Sequence, residues 1–426
     1  MIMMVVALTP GFPKLPFIMI GAGLMVFVNY AKKKEAVRAE NDSIATEANN
    51  IAAADETSPE EKNIQDFLKV DRVVIEIGAG LISLVEPKRG NGIAARIKSL
   101  RENMANQYGF WIPQARIRDN LEMGVHEYRF IICGREVGRG DLMVDRNLAI
   151  NPGDIKTDID GVATKDPAFN LPALWIEESN RRRAEVLGFT VVDAPTVLTT
   201  HLGECLRALA HELLSREDLQ KLLEKLKEHA PTTVEDIRKE TVQQGQLHQI
   251  LVNLLSEGVP ITSLEKIVES AIYFGPQSKS TYELTEKVRS SIGHLICEAF
   301  KGIDGRVRVM VCDPKLEHHM RQASNGTTVV LSPKSLEKFV AKLRTVWETA
   351  HIKNEPVALL VDSAIRQPLR NTIFRSANEI SVLAYNEIPT NLVIDAKAVL
   401  KFDDVIVQDD SFDQFDLNSM IENDNT

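Results

Sequence analysis

Apolar residues run without a charge from Leu15 to Ala31 and stop at Lys32, Lys33 and Lys34. An uncharged run of about 17 residues is at the short end of what spans a bilayer. Lysines on its C-terminal side put the rest of the chain in the cytoplasm. A cleaved secretory signal carries its positive charge ahead of the apolar stretch, with a small-residue cleavage site close behind. Here the charge lies behind the run, and the only small-residue candidate, Ile51 to Ala54, lies too far along. Met1 to Leu8 is also apolar and precedes Pro10, Gly11 and Pro13. It reads as the end of an earlier transmembrane helix and a turn, which predicts that further membrane sequence precedes this start. Residues 32–66 are rich in Ala, Glu, Asn, Asp and Ser, the composition of a flexible linker.

Beyond the linker the spacing of apolar positions predicts the elements. Arg72 to Ile77 and Leu81 to Val85 read as strands with Gly78 and Gly80 at the turn between them. Ile93, Ile97, Leu100 and Met104 recur every three or four residues and predict a helix. Ala115 to Ile117 and Tyr128 to Cys133 are strand-like, and Arg135 to Asp141 reads as a glycine-punctuated connection. Leu148 to Asp193 reads as a small inserted α+β unit with its own strands and one helix, Pro172 to Leu187, after which Val191 and Val192 lead back to the first domain.

From Thr196 to Glu269 the leucines keep a period near 3.6 and β-branched runs disappear, which predicts an all-helical subdomain. A further helix spans Tyr282 to Phe300. Then strands (Arg306 to Cys312, Pro356 to Val361, Ile380 to Ala384) alternate with helices (Ser335 to His351, Ile365 to Arg375), the pattern of a compact α/β unit. The expected fold class is therefore mixed α/β and α, multidomain: a membrane-anchored cytoplasmic body with two α/β subdomains, the inserted unit and the helical subdomain. The acidic, amide-rich end, with Phe412, Phe415 and Leu417 as isolated apolar residues, reads as disordered.

Charge and chemistry narrow the function. A net charge of -10 argues against a nucleic-acid partner, which selects a basic face; Arg181, Arg182 and Arg183 read as a solvated helix face. Cys133, Cys205, Cys297 and Cys312 are far apart with no C-x-x-C spacing, and fit reduced, buried thiols. No phosphate-binding glycine loop, metal-ligand spacing or nucleophile elbow occurs. His318 and His319 are adjacent and cannot share a metal. No cofactor is expected, and the chain reads as a binding body and not an enzyme. Asp119 and Asn120 are read as turn formers at a strand end. In Thr164 to Ile176 an acid, Asp166, precedes Pro167 with Phe169 and Trp175 nearby, an arrangement that could line a recognition groove. Asp166 is expected to lie outside the core, and Leu174 and Trp175 within it.

The succession Gly109-Phe-Trp-Ile-Pro113, Ile117-Arg-Asp-Asn120, Glu136-Val-Gly138, Leu148-Ala-Ile-Asn-Pro-Gly153, Asp166-Pro-Ala-Phe169, Ala173-Leu-Trp-Ile176, Gly188-Phe-Thr-Val-Val192 and Thr200-His-Leu202 resembles the cytoplasmic domain of the FlhA family. Leu254-Leu-Ser-Glu-Gly-Val-Pro-Ile261 and Asn386-Glu-Ile-Pro-Thr-Asn391 extend the resemblance toward Leu400. These are export-gate proteins of bacterial flagellar and type III secretion systems.

The resemblance implies an inner-membrane protein whose membrane segment here is 1–31. It implies a first subdomain at 67–144 and 194–213, an insertion at 145–193, a helical part at 214–292, an α/β part at 293–401 and a tail at 402–426. It implies a nonameric ring that docks chaperone-substrate complexes and works with the export ATPase complex, its stalk and other gate proteins. The docking positions it implies are Asp166, Phe169 and Thr200. Most of the family's membrane domain is absent from this chain, so the residues of proton coupling cannot be located on it, and the tail runs past the usual family end.

A virulence-type injectisome gate is the neighbouring alternative; the Asp166, Phe169 and Thr200 trio favours the flagellar one. A membrane-anchored enzyme using Arg118, Asp119 or Glu136, and an inactive split gate gene, are the other readings.

Overall fold

The computed structural model describes residues 71–85, 92–153, 155, 159–353 and 355–407. The apolar run, the linker and the acidic end of the tail lie outside them. Among the described residues no helix is long and apolar enough to cross a membrane.

The strands gather into three four-stranded sheets. In the first, β1 (Val73–Ile77) runs parallel to β2 (Ala115–Asp119) and antiparallel to β3 (Glu127–Ile132), which pairs with β4 (Arg135–Asp141). Alternation puts Tyr128, Phe130 and Ile132 in the core. Helix α1 (Ile93–Tyr108) buries Ile97 and Met104, as its spacing predicts. Two expectations change here. Leu81 to Val85 is not a strand: Leu81 closes a 3-10 turn on the Gly78 carbonyl at 3.0 Å, is fully buried, and leads into a helical turn. Arg135 to Asp141 is not a connection but the edge strand β4.

The second sheet is wholly antiparallel, in the order β6 (Val162–Lys165), β7 (Pro172–Ile176), β5 (Asn147–Ile150), β8 (Thr190–Asp193). The helix expected from Pro172 to Leu187 is instead strand β7, a 3-10 turn and the short helix α2 (Arg181–Val186). Proline is tolerated as the first residue of a strand. The apolar residues of the two elements lie close enough in sequence to read as one stripe. Ala173 and Trp175 face the large core, while Ile176 packs with Ala149 and Ala184 in a small cluster under α2. Trp175 is core as expected; Leu174 is only partly buried. Val191 and Val192 stay in this sheet, and Asp193 ends it by accepting from the Thr196 amide at 3.0 Å, capping helix α3 (Ala194–Ala208).

Helices α4 (Arg216–His229), α5 (Gln244–Ser256), α6 (Leu264–Phe274), α7 (Thr281–Ser291) and α8 (Gly293–Glu298) come next. The single helix expected over Tyr282 to Phe300 breaks at Gly293. A Cβ there would meet the Glu387 carbonyl oxygen at 2.0 Å, so the close approach requires glycine.

The third sheet is all parallel, with order β11 (Val382–Ala384), β10 (Ala358–Val361), β9 (Val307–Cys312), β12 (Ile394–Leu400). Helices α9 (Pro314–Gln322), α10 (Pro333–Ile352) and α11 (Ser363–Ile373) accompany it. Parallel sheets are covered on both faces. Val309 and Leu360 join the core that runs back through the helices to the first sheet, while Met310 and Leu359 belong to a second core with Phe339 and Leu369. Residues 402–407 are ordered, with Val405 fully buried and the Val407 amide donating to Ser335 at 3.1 Å.

Two arginines and three glutamates bind the helices to this last sheet. Arg366 on α11 is fully buried and grips Glu257, at 2.6 and 3.1 Å, and Glu286 of α7. Arg289 of α7 donates to Glu387 at 2.6 and 3.2 Å and pairs with Glu257 at 3.2 Å. Arg370, also buried, donates to Asn378 at 2.7 Å. Burial alone would raise the Glu257 carboxyl, yet Arg289 and Arg366 bring it down to about 2.

Candidate functional site

The Asp-Pro-Ala-Phe segment forms the loop between β6 and β7. Three bonds close it, all converging on Asp166. Its amide donates to the Leu171 carbonyl at 2.8 Å, its carbonyl accepts from Asn170 at 2.9 Å, and its carboxylate accepts from the Phe169 amide at 2.7 Å. Asn170 takes a left-handed conformation at φ 57°, which asparagine tolerates in turns. The expectation of an Asp166 outside the core is corrected: it is 3% exposed, while Phe169 is 53% exposed. The acid is spent inside the turn, and the aromatic is what the turn presents.

Behind the turn runs α3. His201 on this helix is 8% exposed; its Nδ1 lies 2.8 Å from the Tyr128 hydroxyl, and its ring packs edge-on against Phe130 at 5.1 Å between centroids. Burial holds its pKa below the ordinary histidine value, and the nearby Asp166 carboxylate partly opposes that. Burial also pushes the Cys205 thiol up to about 11 and the Tyr128 hydroxyl well above its usual range. These are quiet side chains at neutral pH, with no activated nucleophile among them. An open hollow of about 430 Å³ between β4, Pro167, Ala168 and α3 exposes one flank of this cluster.

Gly138 on β4 lets the helix come this close. A Cβ there would lie 2.9 Å from Cys205 Sγ and 3.0 Å from His201 Nε2. Gly138→Val is therefore expected to force α3 away from β4 and cost about 1–3 kcal/mol. Denaturant titration checks it, and an unchanged midpoint would mean the helix yields freely.

Thr200, the third expected position, precedes His201 but lines a different hollow. That one, of about 440 Å³, lies between α1 and α3, with Arg96, Ser99, Asn103 and Thr199 on its walls. The structure thus brings Asp166 and Phe169 into one turn and sets Thr200 on the other flank of the helix behind them. Sequence reasoning singles out neither His201 nor Tyr128, although His201 stands in the Thr200-His-Leu202 motif.

The other candidates resolve into surface structure. Arg118 pairs with Asp71 at 2.6 Å and Glu136 with Arg139 at 3.0 Å. Asn120 accepts from the Glu122 amide at 3.0 Å and donates to Glu76 at 2.8 Å, the turn role expected of it. Arg181 to Arg183 are exposed on α2. All four cysteines are free, but only Cys297 and Cys312 are buried as expected; Cys205 is half-buried and Cys133 is exposed at the β3–β4 turn. Among the described residues no group of three or more His, Cys, Asp or Glu is placed to hold a metal.

Solved proteins share this arrangement of sheets and helices. The Chlamydia pneumoniae CdsV protein superposes with a TM-score of 0.67 at 22% identity, covering 77% of this chain and 97% of that one. The nonameric EscV cytosolic domain from a type III secretion system gives 0.60 at 17%, covering 78% and 97%. The fold is thus the mixed α/β one of these proteins. The sequence goes further. The FHIPEP family matches residues 1–393, and the chain belongs to that family. Flagellar biosynthesis protein FlhA of Escherichia coli (strain K12) is 33% identical over 385 residues, 90% of this chain and 54% of the relative. That of Bacillus subtilis (strain 168) is 32% identical over 384 residues, 89% and 56%. The chain spans about half the length of these curated relatives.

Proposed function

We propose that this chain is the docking body of a flagellar type III export gate. In this reading it is anchored in the inner membrane through Leu15 to Ala31, and it receives chaperone-substrate complexes and passes unfolded cargo to a membrane pore. The observation that carries it is the Asp166 turn. A buried carboxylate fixes a loop that holds Phe169 out to solvent, and Pro167 and Ala168 of the same loop line a hollow on one flank of α3. Rigid, exposed aromatics beside shallow pockets are the anchors of protein interfaces. The parts at 67–144 with 194–213, 145–193, 214–292 and 293–401 serve as first, inserted, helical and terminal subdomains of that body. The trio Asp166, Phe169 and Thr200 forms a docking surface laid across α3, with Asp166 shaping it and the other two touching the partner.

Nonameric SctV-C and EscV structures, and a complex of CdsV with CdsO, support a ring of nine and a partner from the export ATPase complex and its stalk. A ring multiplies weak individual sites by avidity, which suits a platform that must release its cargo. The flagellar assignment rests on relatives named as flagellar at 30–33% identity. The injectisome reading rests on fold neighbours of 17–22% identity.

The test is binding of the full chain, in detergent, to the source organism's flagellar chaperones loaded with cargo. Phe169→Ala should weaken docking at least tenfold, about 1.4 kcal/mol or more, and leave the thermal midpoint where it was. Capture of injectisome chaperones in place of flagellar ones would shift the assignment. Binding unaffected by Phe169→Ala would remove the turn from the site.

A further inference from the structure

We propose that Arg96 is a positioning residue for the docking surface: its guanidinium clasps the joint where the inserted sheet turns into α3, and so fixes how Phe169 is held relative to Thr200. The inference rests on the docking role just proposed. Phe169 is carried by the inserted sheet and Thr200 by α3, and the chain passes from one to the other at Asp193. A partner that touches both senses the angle at that joint.

Arg96 reaches the joint from α1. Its Nη2 donates to Asp193 Oδ2 at 2.7 Å, and its Nη1 donates to Asp193 Oδ1 at 3.1 Å and to the Thr196 hydroxyl at 2.5 Å. Asp193 is the last residue of β8, and Thr196 lies in the first turn of α3. One planar group therefore holds strand and helix together, while Asp193 Oδ1 also accepts from the Thr196 amide at 3.0 Å. A two-pronged guanidinium fixes direction as well as distance, which an ammonium does not.

The other ties of the inserted sheet are of a different kind. Trp175, Ala173 and Leu148 seat it on the large core through apolar contact, which is non-directional. Among the described residues, Arg96 is the one side chain from a non-contiguous part of the chain that hydrogen-bonds to the inserted unit. The joint also has leverage. Asp193 pairs with Asn147, which pairs with Ile176, whereas the Asp166 loop leaves the sheet at the Lys165 and Pro172 pair. From β8 to β7 is two strand spacings, and from Ile176 to Pro172 is four residues. At about 4.8 Å per spacing and about 3.4 Å per residue, the base of the loop stands about 17 Å from the joint. A rotation of about 5° there carries the loop about 1.5 Å, enough to break a side-chain contact. Both members of the Arg96 and Asp193 pair are partly exposed, so the pair adds little to global stability, and its effect on geometry can be read separately.

The experiment uses the full chain in detergent. Arg96→Met, which keeps the aliphatic stem, should weaken docking of a cargo-loaded flagellar chaperone about fivefold or more and lower the thermal midpoint by about 2 °C or less. In a Phe169→Ala background the same change should cost less than about twofold, because no presented ring is left to misplace. Asp193→Asn leaves Arg96 in place and still caps α3, and should reproduce the loss. Arg96→Lys restores the charge without the fork and should recover less than about half of it. A second readout needs no chaperone. Spin labels at Asn106→Cys on α1 and Val186→Cys on α2, both exposed positions, are placed in a chain carrying Cys133→Ser and Cys205→Ser and diluted with unlabelled chain. Their narrow distance distribution should broaden in Arg96→Met. It should not broaden in Arg181→Met, whose partners Glu178 and Glu185 lie within its own unit.

A docking loss that is equal with and without Phe169, or that is absent in Asp193→Asn, would make Arg96 a direct contact of the partner and overturn the proposal. So would full recovery in Arg96→Lys, or a distance distribution that stays narrow in Arg96→Met. If Arg96→Met fails to fold, Asp193→Asn carries both measurements. Should wild type dock no chaperone, the docking role falls, while the label distances still decide whether Arg96 fixes the joint.

Discussion

Arg366→Ala is expected to destabilise the protein by about 3–5 kcal/mol, the usual cost of removing one partner of a buried ion pair. Arg366 is fully buried, and its guanidinium serves two carboxylates, Glu257 at the end of α5 and Glu286 on α7. Without it Glu286 loses its cation, and Glu257 keeps only Arg289 at 3.2 Å. The loss should fall at the junction of the helices with the parallel sheet, seen as faster amide exchange in α7 and α11. The pH dependence has a fixed sign. Glu257 is held at about 2, below its ordinary 4.5, so it contributes stability that is complete above about pH 4.5 and lost as pH falls toward 2. In the variant the stranded carboxylates can take up protons, so the gap to wild type should narrow over that same acid window. Removing Glu286 as well, in Arg366→Met with Glu286→Leu, should recover part of the loss: apolar replacement of a whole buried pair is often neutral, but Glu257 is left with Arg289 alone. If the double variant loses the sum of the two single changes, the pair is not coupled and the account is wrong.

None of this network was legible in the sequence. Its members stand at 257, 286, 289, 366 and 387, and no local spacing links them. Elements with a strong period were legible: α1 announced itself through Ile93, Ile97 and Met104, and β3 through Tyr128, Phe130 and Ile132. Strand β12 was missed because Asp395 and Lys397 interrupt its apolar residues at the edge of the sheet, where their charges reach each other at 2.9 Å. Helix α9 was missed because it buries only Leu316 and Met320. Strand β4 reads as a connection because it carries Gly138 and Gly140. Those glycines are there to admit His201, Cys205 and the Tyr128 hydroxyl, a tertiary reason with no local signature.

The candidate site was legible in part. The motif around Asp166 and Phe169 stands out in the sequence, but the division of labour inside it does not, because a surface acid and a turn-capping acid look alike there. Asp ahead of Pro, with a free amide three residues on, is the pattern of a side chain that bonds its own backbone. That was the available signal. It also changes what substitution at Asp166 tests. Asp166→Ala removes the bond that shapes the loop, so loss of docking in it would report on the turn and not on a direct salt bridge to a partner.

Trp175→Ala is expected to cost about 3–5 kcal/mol, as for truncation of a buried aromatic. Trp175 is 3% exposed near the C-terminal end of β7, flanked by Leu148 on β5 and Val162 on β6. It faces the large core, together with Ala173 and Leu148. The cavity left behind would lie where the inserted sheet meets the rest of the body, a seam with few other large side chains from that sheet. Trp111 is the internal control. It is 57% exposed, with Arg101 5.3 Å from its ring centroid, so Trp111→Ala should cost about 1 kcal/mol or less. Fluorescence gives a second readout. Removing Trp175 should delete the bluest part of the emission and leave the redder signals of the exposed Trp111 and the half-buried Trp347. Because β7 also carries one end of the Asp166 loop, through the Lys165 and Pro172 pair, the Phe169 amide should exchange faster in Trp175→Ala than in Trp111→Ala. A denaturant midpoint equal to wild type would show that the seam closes without the indole. In that case the rigidity of the Asp166 turn would have to come from its own hydrogen bonds.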